Sequence, residues 1–451
     1  MRTVFCLAVL VCGFGALFGG GDKQLRRLDA RFHAKMKECR WAEAQRILKD
    51  MVGLWSKKSV EHAAVLAIET KRGEFVDAVE AALMEAEDDE GKLKVVADVA
   101  VSARDWRVRL MALRAIRFAQ KDVVRKTVIA LLKDKEPAVL REAVNAALIQ
   151  GGTDIIAALI ELYGRVEKER GLVWLKTRQA LATLCGIDFE EAKKWREWFA
   201  EQKSRLKEKE KQGKLEKDEE RGMTVVDMVK KSAPKFFGTE VVSTRVIFLI
   251  DVSSSMQARD PKFIKTPDGQ IIQKTKLPKN AVRDDWGGYP CLAASRARIA
   301  RVKRELIKCI KGLPPKAKFN IIAFATGLKR WRKRLVFASK GNKSQAIAFV
   351  RSLKAEGDTY TDDAIKAAFA DPEIDTIYLL SDGQPWRGNS PIDVDNILQW
   401  VKENNRFRKI IIHTFGFEQA RSTPNMDVAA MMKLLKGLAQ QTGGSFTNIY
   451  W

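Results

Sequence analysis

Histidine is nearly missing: three in 451 residues, at positions 33, 62 and 413. Acid–base and nucleophilic catalysis lean on that side chain more than on any other. His413 falls inside an apolar run, where a buried structural role is the expectation. The serines and aspartates of the motifs below have no base beside them. A catalytic set is therefore absent from the reading, and an enzyme is not expected. Cysteine is scarce too, six in all, two of them within the first twelve residues. Of the other four, Cys39, Cys185, Cys291 and Cys309, no two stand at metal-binding spacing. Cys291 and Cys309 read as flanking one helix, about 27 Å apart along it and beyond disulfide reach. Free, mostly buried thiols are expected. No internal run of about 18 apolar residues occurs, so no internal membrane-spanning helix is expected.

Positive charge, by contrast, is abundant. Lys and Arg number 81 against 57 Asp and Glu, a net charge of +24. This favours solubility and attraction to polyanions but says nothing of fold. At this length two domains are expected. Arg2, then the uncharged Val4–Phe18, then Asp22 and Lys23 fit a signal peptide over 1–21, with Gly19 and Gly21 as the small residues before the cut. Export to the periplasm, cell surface or medium follows. The alternative is an intracellular scaffold whose N-terminus is merely apolar.

Residues 23–200 read as an all-α domain. Leu25, Leu28, Phe32 and Met36 recur at helical spacing, as do Trp41, Ala44, Ile47, Leu48 and Met51. Three turns, opening at Asp105-Trp106, Glu136-Pro137 and Trp174, then lead through Arg109, Arg141 and Arg178 into small-residue helix faces; the arginines lie 32 and 37 apart. Such pairs stack on their neighbours, and the stretch resembles HEAT repeats. Residues 201–240 are dominated by Lys, Glu and Gln at first, offer no apolar face to bury, and read as a charged linker, a solvated helix or flexible segment. Its charges alternate in sign without interleaved aromatics, so specific nucleic-acid binding is not expected.

Residues 241–451 alternate strands with helices. Val246–Ile250 is a buried strand, as are 318–325, 375–380 and 409–415, with a short edge strand at 334–338 and a last one at 445–449. Helices are read at 292–311, 343–353, 359–369 and 427–441. This is an α/β domain with a doubly wound, mostly parallel, Rossmann-like sheet. Residues 257–290, rich in Pro and Gly, form an inserted ordered loop. Its Asp260, Asp284 and Asp285 read as solvated, or else as added acidity near the strand end.

The first strand ends in Asp251-x-Ser253-x-Ser255. Gly357-Asp358-Thr359-Tyr360-Thr361 and Ser381-Asp382-Gly383 follow on later loops. Together with Leu435–Phe446 they resemble the von Willebrand factor type A (VWA) domain and its metal-ion-dependent adhesion site. The resemblance implies Mg²⁺, or Mn²⁺ or Ca²⁺. Ser253, Ser255 and Thr359 would bind directly, and Asp251 and Asp382 largely through water. Thr361 is the rival hydroxyl to Thr359. With so little direct carboxylate the ion stays electron-poor, open to a carboxylate from a protein partner. The expected function is that of an exported, non-catalytic interaction protein. The cluster Lys329-Arg330-Trp331-Arg332-Lys333-Arg334 makes an anionic cell-surface polymer a second candidate partner.

Overall fold

A computed structural model describes residues 23–213, 215–265, 270–388, 390–417 and 427–449. The segment read as a signal peptide lies outside them. The chain divides into two compact units, one ending at Thr127 and the other starting at Val128.

The first unit is helical: α1 (Lys23–Lys37), α2 (Trp41–Val52), α3 (Lys57–Glu69), α4 (Gly73–Met84), α5 (Glu90–Ser102) and α6 (Trp106–Ile116), with the division falling inside α7 (Asp122–Leu131). Local chemistry sets the helix starts. Ser56 and Ser59 close a capping box on α3, and Asp89 and Asp105 accept from the first-turn amides of α5 and α6. Apolar stripes at helical spacing then pack consecutive helices together, α1 on α2 and α5 on α6, burying Leu25, Leu28, Phe32, Val108 and Met111. This stacking of helix pairs is that of helical repeats.

The second unit opens with α8 (Pro137–Gln150), α9 (Thr153–Val166), α10 (Leu172–Cys185), α11 (Ala192–Lys211) and α12 (Glu219–Ser232). The charged stretch thus holds the largely exposed end of α11 and a further helix, α12, which is not wholly solvated. α12 packs on α10 and buries Val225. A Cβ on Gly222 would stand 2.1 Å from Thr183 Oγ1, so a larger residue here would have to displace the Thr183 hydroxyl. Glu210 accepts from the N–H and hydroxyl of Thr153 at 3.0 and 2.7 Å, satisfying the start of α9. The repeat arginines serve the packing. Arg178 forms a two-pronged ion pair with Asp188 at 2.8 and 2.7 Å, and Arg141 donates to the Arg408 carbonyl at 2.5 Å.

The remaining elements are β1 (Lys235–Phe236), β2 (Thr239–Glu240), β3 (Arg245–Asp251), β4 (Phe263–Lys265), β5 (Ile271–Gln273), α13 (Arg298–Gly312), β6 (Lys318–Phe324), β7 (Leu328–Arg330), β8 (Val336–Phe337), α14 (Lys340–Ser352), α15 (Thr361–Phe369), β9 (Thr376–Leu380), β10 (Trp386–Arg387), β11 (Ser390–Pro391), α16 (Val394–Asn404), β12 (Ile411–Gly416), α17 (Val428–Thr442) and β13 (Phe446–Asn448). The main sheet runs β13-β12-β9-β3-β6-β7, with β8 also on β6. Strands β13, β12, β9, β3 and β6 are parallel; β7 and β8 run antiparallel to β6.

Alternation along β3 explains the layers. Val246, Phe248 and Ile250 face the side covered by Val302, Leu306 and Ile310 of α13 and Val350 of α14. Ile247 and Leu249 face Ile365 of α15, Ile397 of α16 and Leu435 of α17. β3 lies between β6 on one side and β9 on the other, so the winding reverses at its carboxyl end, where open α/β sheets hold their ligands.

Two local readings change. The helix expected at 292–311 begins only at Arg298, because Ala297 is extended and bridges Arg259. Cys291 precedes that helix, now by seven residues, and both it and Cys39 are exposed. The thiols are free, but of the four described only Cys309 is fully buried. No described helix is long and apolar enough to cross a membrane.

Candidate metal centre

Asp251 is the last residue of β3, and its carboxylate is fully buried. It folds back on its own loop: Oδ1 accepts from the Ser253 N–H at 2.8 Å, and Oδ2 from the Ser381 hydroxyl at 2.5 Å. Ser253 and Ser255 are buried, with hydroxyls 3.0 Å apart. Ser255 donates to Asp382 Oδ1 at 2.7 Å across the gap between the β3 and β9 loops. Thr359, 6% exposed, lies on the third loop. A Cβ on Gly383 would stand 3.7 Å from Ser255 Oγ and 3.8 Å from Thr359 Oγ1, which puts both hydroxyls around one point. The structure thus brings Asp251, Ser253, Ser255, Thr359 and Asp382 together.

Backbone pairing holds the loops in place. Ser254 N–H donates to the Gly357 carbonyl, while the Gly357 N–H donates to Ser254 Oγ, each at 3.0 Å. Gly357 has φ +86°, and a Cβ there would strike Thr326 Oγ1 at 2.3 Å, so this crossing needs glycine. Trp386 on β10 exchanges backbone hydrogen bonds with Thr359 at 3.3 and 3.0 Å, tying the second loop to the third.

The electrostatics follow from burial. Desolvation, then the Asp382 charge, pushes the Asp251 carboxyl up to about 7, against the hydrogen bonds from Ser253 and Ser381. Asp382 is raised for the same first reason, with the Arg298 charge opposing. Two buried carboxyls and a set of hydroxyls, with no sulfur or imidazole among their partners, suit a hard divalent ion. Among the described residues no group of three or more His, Cys, Asp or Glu side chains makes a metal cage; any ion here would rest on hydroxyls. Thr361 Oγ1 is buried with no hydrogen-bond partner, which keeps this rival hydroxyl in contention.

One participant was missed. Arg298 is fully buried and donates from Nη1 to Asp382 Oδ2 at 2.8 Å, and from Nε and Nη2 to Asp260 at 2.8 and 3.0 Å. Burial alone would lower its pKa, but the two carboxylates outweigh that and raise it. Asp260 is accordingly not a solvated loop residue, since its side chain is 16% exposed and held by this fork. Asp284 accepts from the Trp286 and Gly288 amides, a turn role. The signal for Arg298 was present: it lies four residues before Val302 and eight before Leu306, on the apolar stripe of α13.

The stretch read as an insertion carries the β4–β5 hairpin and closes at its base. Arg259 bridges Ala297, the Arg298 N–H donates to the Ala258 carbonyl at 3.0 Å, and the Tyr289 N–H to the Arg259 carbonyl at 2.8 Å. His413 is half-buried on β12, stacked on Tyr378, with Nδ1 2.9 Å from Ser445 Oγ. Burial takes its pKa down to about 4.

A family model described as von Willebrand factor type A domain matches residues 244–268 and 293–447, skipping most of the insertion. The chain is 34% identical over 152 residues to human von Willebrand factor A domain-containing protein 3B, covering 34% of this chain and 11% of that protein. It is 31% identical over 137 residues to human inter-alpha-trypsin inhibitor heavy chain H4, covering 27% of this chain and 14% of that one. The chain therefore spans only about a tenth to a seventh of these relatives. Among solved structures, a von Willebrand factor type A protein from Catenulispora acidiphila aligns over 45% of this chain and 38% of its own, at 17% identity and a TM-score of 0.31.

Proposed function

Because its C-terminal part is a von Willebrand factor type A domain, we propose that this chain is an exported, non-catalytic interaction protein that binds a protein partner through a divalent ion, Mg²⁺ or a similar cation. The observation that carries this reading is the convergence of Asp251, Ser253, Ser255, Thr359 and Asp382 at the point where the winding reverses beyond β3. Ser253, Ser255 and Thr359 would hold the ion directly, and Asp251 and Asp382 would neutralise it, largely through water. Bound there, the ion supplies a Lewis-acidic position for an incoming carboxylate. The helical repeats of 23–200 present or dock the 241–451 domain.

The test is calorimetric titration of the full-length protein with Mg²⁺ and Mn²⁺. Binding lost in Asp251→Ala and Asp382→Ala supports the reading; binding indifferent to both sinks it. Thr359→Ala and Thr361→Ala, compared, decide between the rival hydroxyls. A pull-down with and without chelator then tests the partner. Sequencing the mature N-terminus tests export.

One observation favours a second mode. Lys329, Arg330, Lys333 and Arg334 are exposed on and beside the edge strand β7, with only Lys329 in an ion pair among the described residues. Retention on an anionic polysaccharide that collapses with salt would mark it.

A further inference from the structure

Arg298 stands where the charge of the site is decided. An arginine at the first position of α13 would normally reach for water. Here the helix enters beneath the first metal loop, and the stripe continued by Val302, Leu306 and Ile310 carries Arg298 into the interior. Burying a guanidinium is costly unless its donors are met. They are met by two carboxylates from opposite sides: Asp260 at the base of the insertion, with two contacts, and Asp382 at the end of β9, with one. The Phe417 ring covers it, with the guanidinium carbon 5.4 Å from the ring centre.

Asp382 is thus engaged on both oxygens, by Ser255 on Oδ1 and Arg298 on Oδ2. Its charge is offset by a cation belonging to the chain, which it shares with Asp260. An ion arriving among Ser253, Ser255 and Thr359 would meet one carboxylate without a counter-ion, Asp251, and a fixed positive charge one side chain away. Like charges disfavour each other strongly where water is excluded.

We propose that Arg298 is the resident counter-ion of the metal centre, anchored by Asp260. It ties the β9 loop to the base of the insertion without a divalent ion and holds divalent affinity low. The affinity is then set by a residue on the base of the insertion, so that anything displacing the insertion and drawing Asp260 away alters the site. This rests on the metal-binding reading above and adds a positioning residue to it.

The experiment is Mg²⁺ and Mn²⁺ calorimetry on the full-length protein and on Arg298→Gln and Arg298→Lys, each checked for native circular dichroism. Arg298→Gln is expected to bind at least about tenfold more tightly, and Arg298→Lys, which keeps the charge, to stay within about threefold of wild type. A folded Arg298→Gln that binds no more tightly than wild type, while wild type still binds through Asp251, overturns the proposal and leaves the metal reading standing. Binding by none of the three proteins overturns the metal reading itself. Should Arg298→Gln fail to fold, wild type decides: the proposal expects a cooperative melt in EDTA within about 3 °C of that in 1 mM Mg²⁺, and a large fall in EDTA refutes it.

Discussion

Asp251→Asn tests the electrostatics of the site with a single atom changed. The carboxyl is fully buried, and desolvation followed by the nearby Asp382 charge raises it from 3.8 to about 7. A raised folded value means that the fold prefers the neutral acid. The associated stability is fully present below pH 3.8 and is lost as pH rises towards 7. At about 1.4 kcal/mol for each tenfold, the ceiling on that loss is about 4 kcal/mol, with roughly 3 kcal/mol of it falling between pH 5 and pH 8. Asparagine imitates the neutral form and fits the hydrogen bonds. Its carbonyl can accept from the Ser253 N–H, and its amide can donate to Ser381 Oγ, whose own hydrogen turns to the Gly383 carbonyl at 3.1 Å. Scanning calorimetry of the full-length protein in EDTA should therefore find Asp251→Asn more stable than wild type at pH 8. The gap should grow by roughly 3 kcal/mol from pH 5 to pH 8. Asp382 and Asp375 are also raised by burial, so wild type alone mixes several groups; the difference between the two proteins reports Asp251 together with the relief its loss of charge gives the neighbouring Asp382. Added Mg²⁺ at 1 mM should move the wild-type melt by no more than about 3 °C, as the low affinity imposed by Arg298 requires, and leave the variant unmoved. A gap constant across this range, or a wild type that is the more stable protein at pH 8 in EDTA, refutes the reasoning.

Three further outcomes are expected. Arg178→Met strands Asp188, whose side chain is 10% exposed, and should cost about 3–5 kcal/mol in thermal unfolding; a cost under about 1 kcal/mol would show that the pair is not holding α10. Alkylation of the native protein, read by peptide mass spectrometry, should label the exposed Cys39 and Cys291 quickly and Cys185 and Cys309 slowly, since burial pushes the latter two thiols up to about 12. Labelling of Cys309 as fast as Cys39 would contradict the packing of α13. In the first unit, Asp29 Oδ1 lies 2.7 Å from His62 Nε2 and 3.5 Å from His33 Nε2. The Asp29 hydrogen bond raises His33 and the His33 hydrogen bond lowers Asp29. The His33 contribution is present below pH 6.5 and lost as pH rises through its raised folded value; that of Asp29 is present above 3.8 and lost as pH falls. Amide exchange of α1, corrected for intrinsic rate, should therefore quicken from pH 6 to pH 8 in wild type and change less in His33→Gln. Equal pH dependence in both would remove the pair from the account.

Much of the architecture was legible because it is written in local periodicity. The apolar run Val246–Ile250, the alternation of strands and helices after it, and the heptad-like faces from Leu25 onward each state which side is buried without reference to anything distant. The five candidate site residues came from the resemblance of Asp251-x-Ser253-x-Ser255, the Thr359 loop and the Asp382 loop to the von Willebrand factor type A pattern, and the fold carries these three loops to one edge of the sheet. α16 was not read, although Val394, Ile397, Leu398 and Val401 recur at helical spacing behind the Asp393 cap. The charged stretch misled because composition cannot show that α12 has a small face: Gly222 matters only against Thr183 of α10.

By itself, then, the sequence determined the kinds of layers, the strand that sits at the centre, and the oxygen-rich character of the centre at its end. Those properties depend on residue type at spacings of two, three or four. Only tertiary structure decided that Arg298 faces inward, that Asp260 is its anchor and not a solvated acid, and that 297 closes the insertion before α13 begins. These depend on which groups meet across 38 and 84 residues of chain. A charge pattern along the chain carries no information about such meetings, because the cost of burying a charge is settled by its partner.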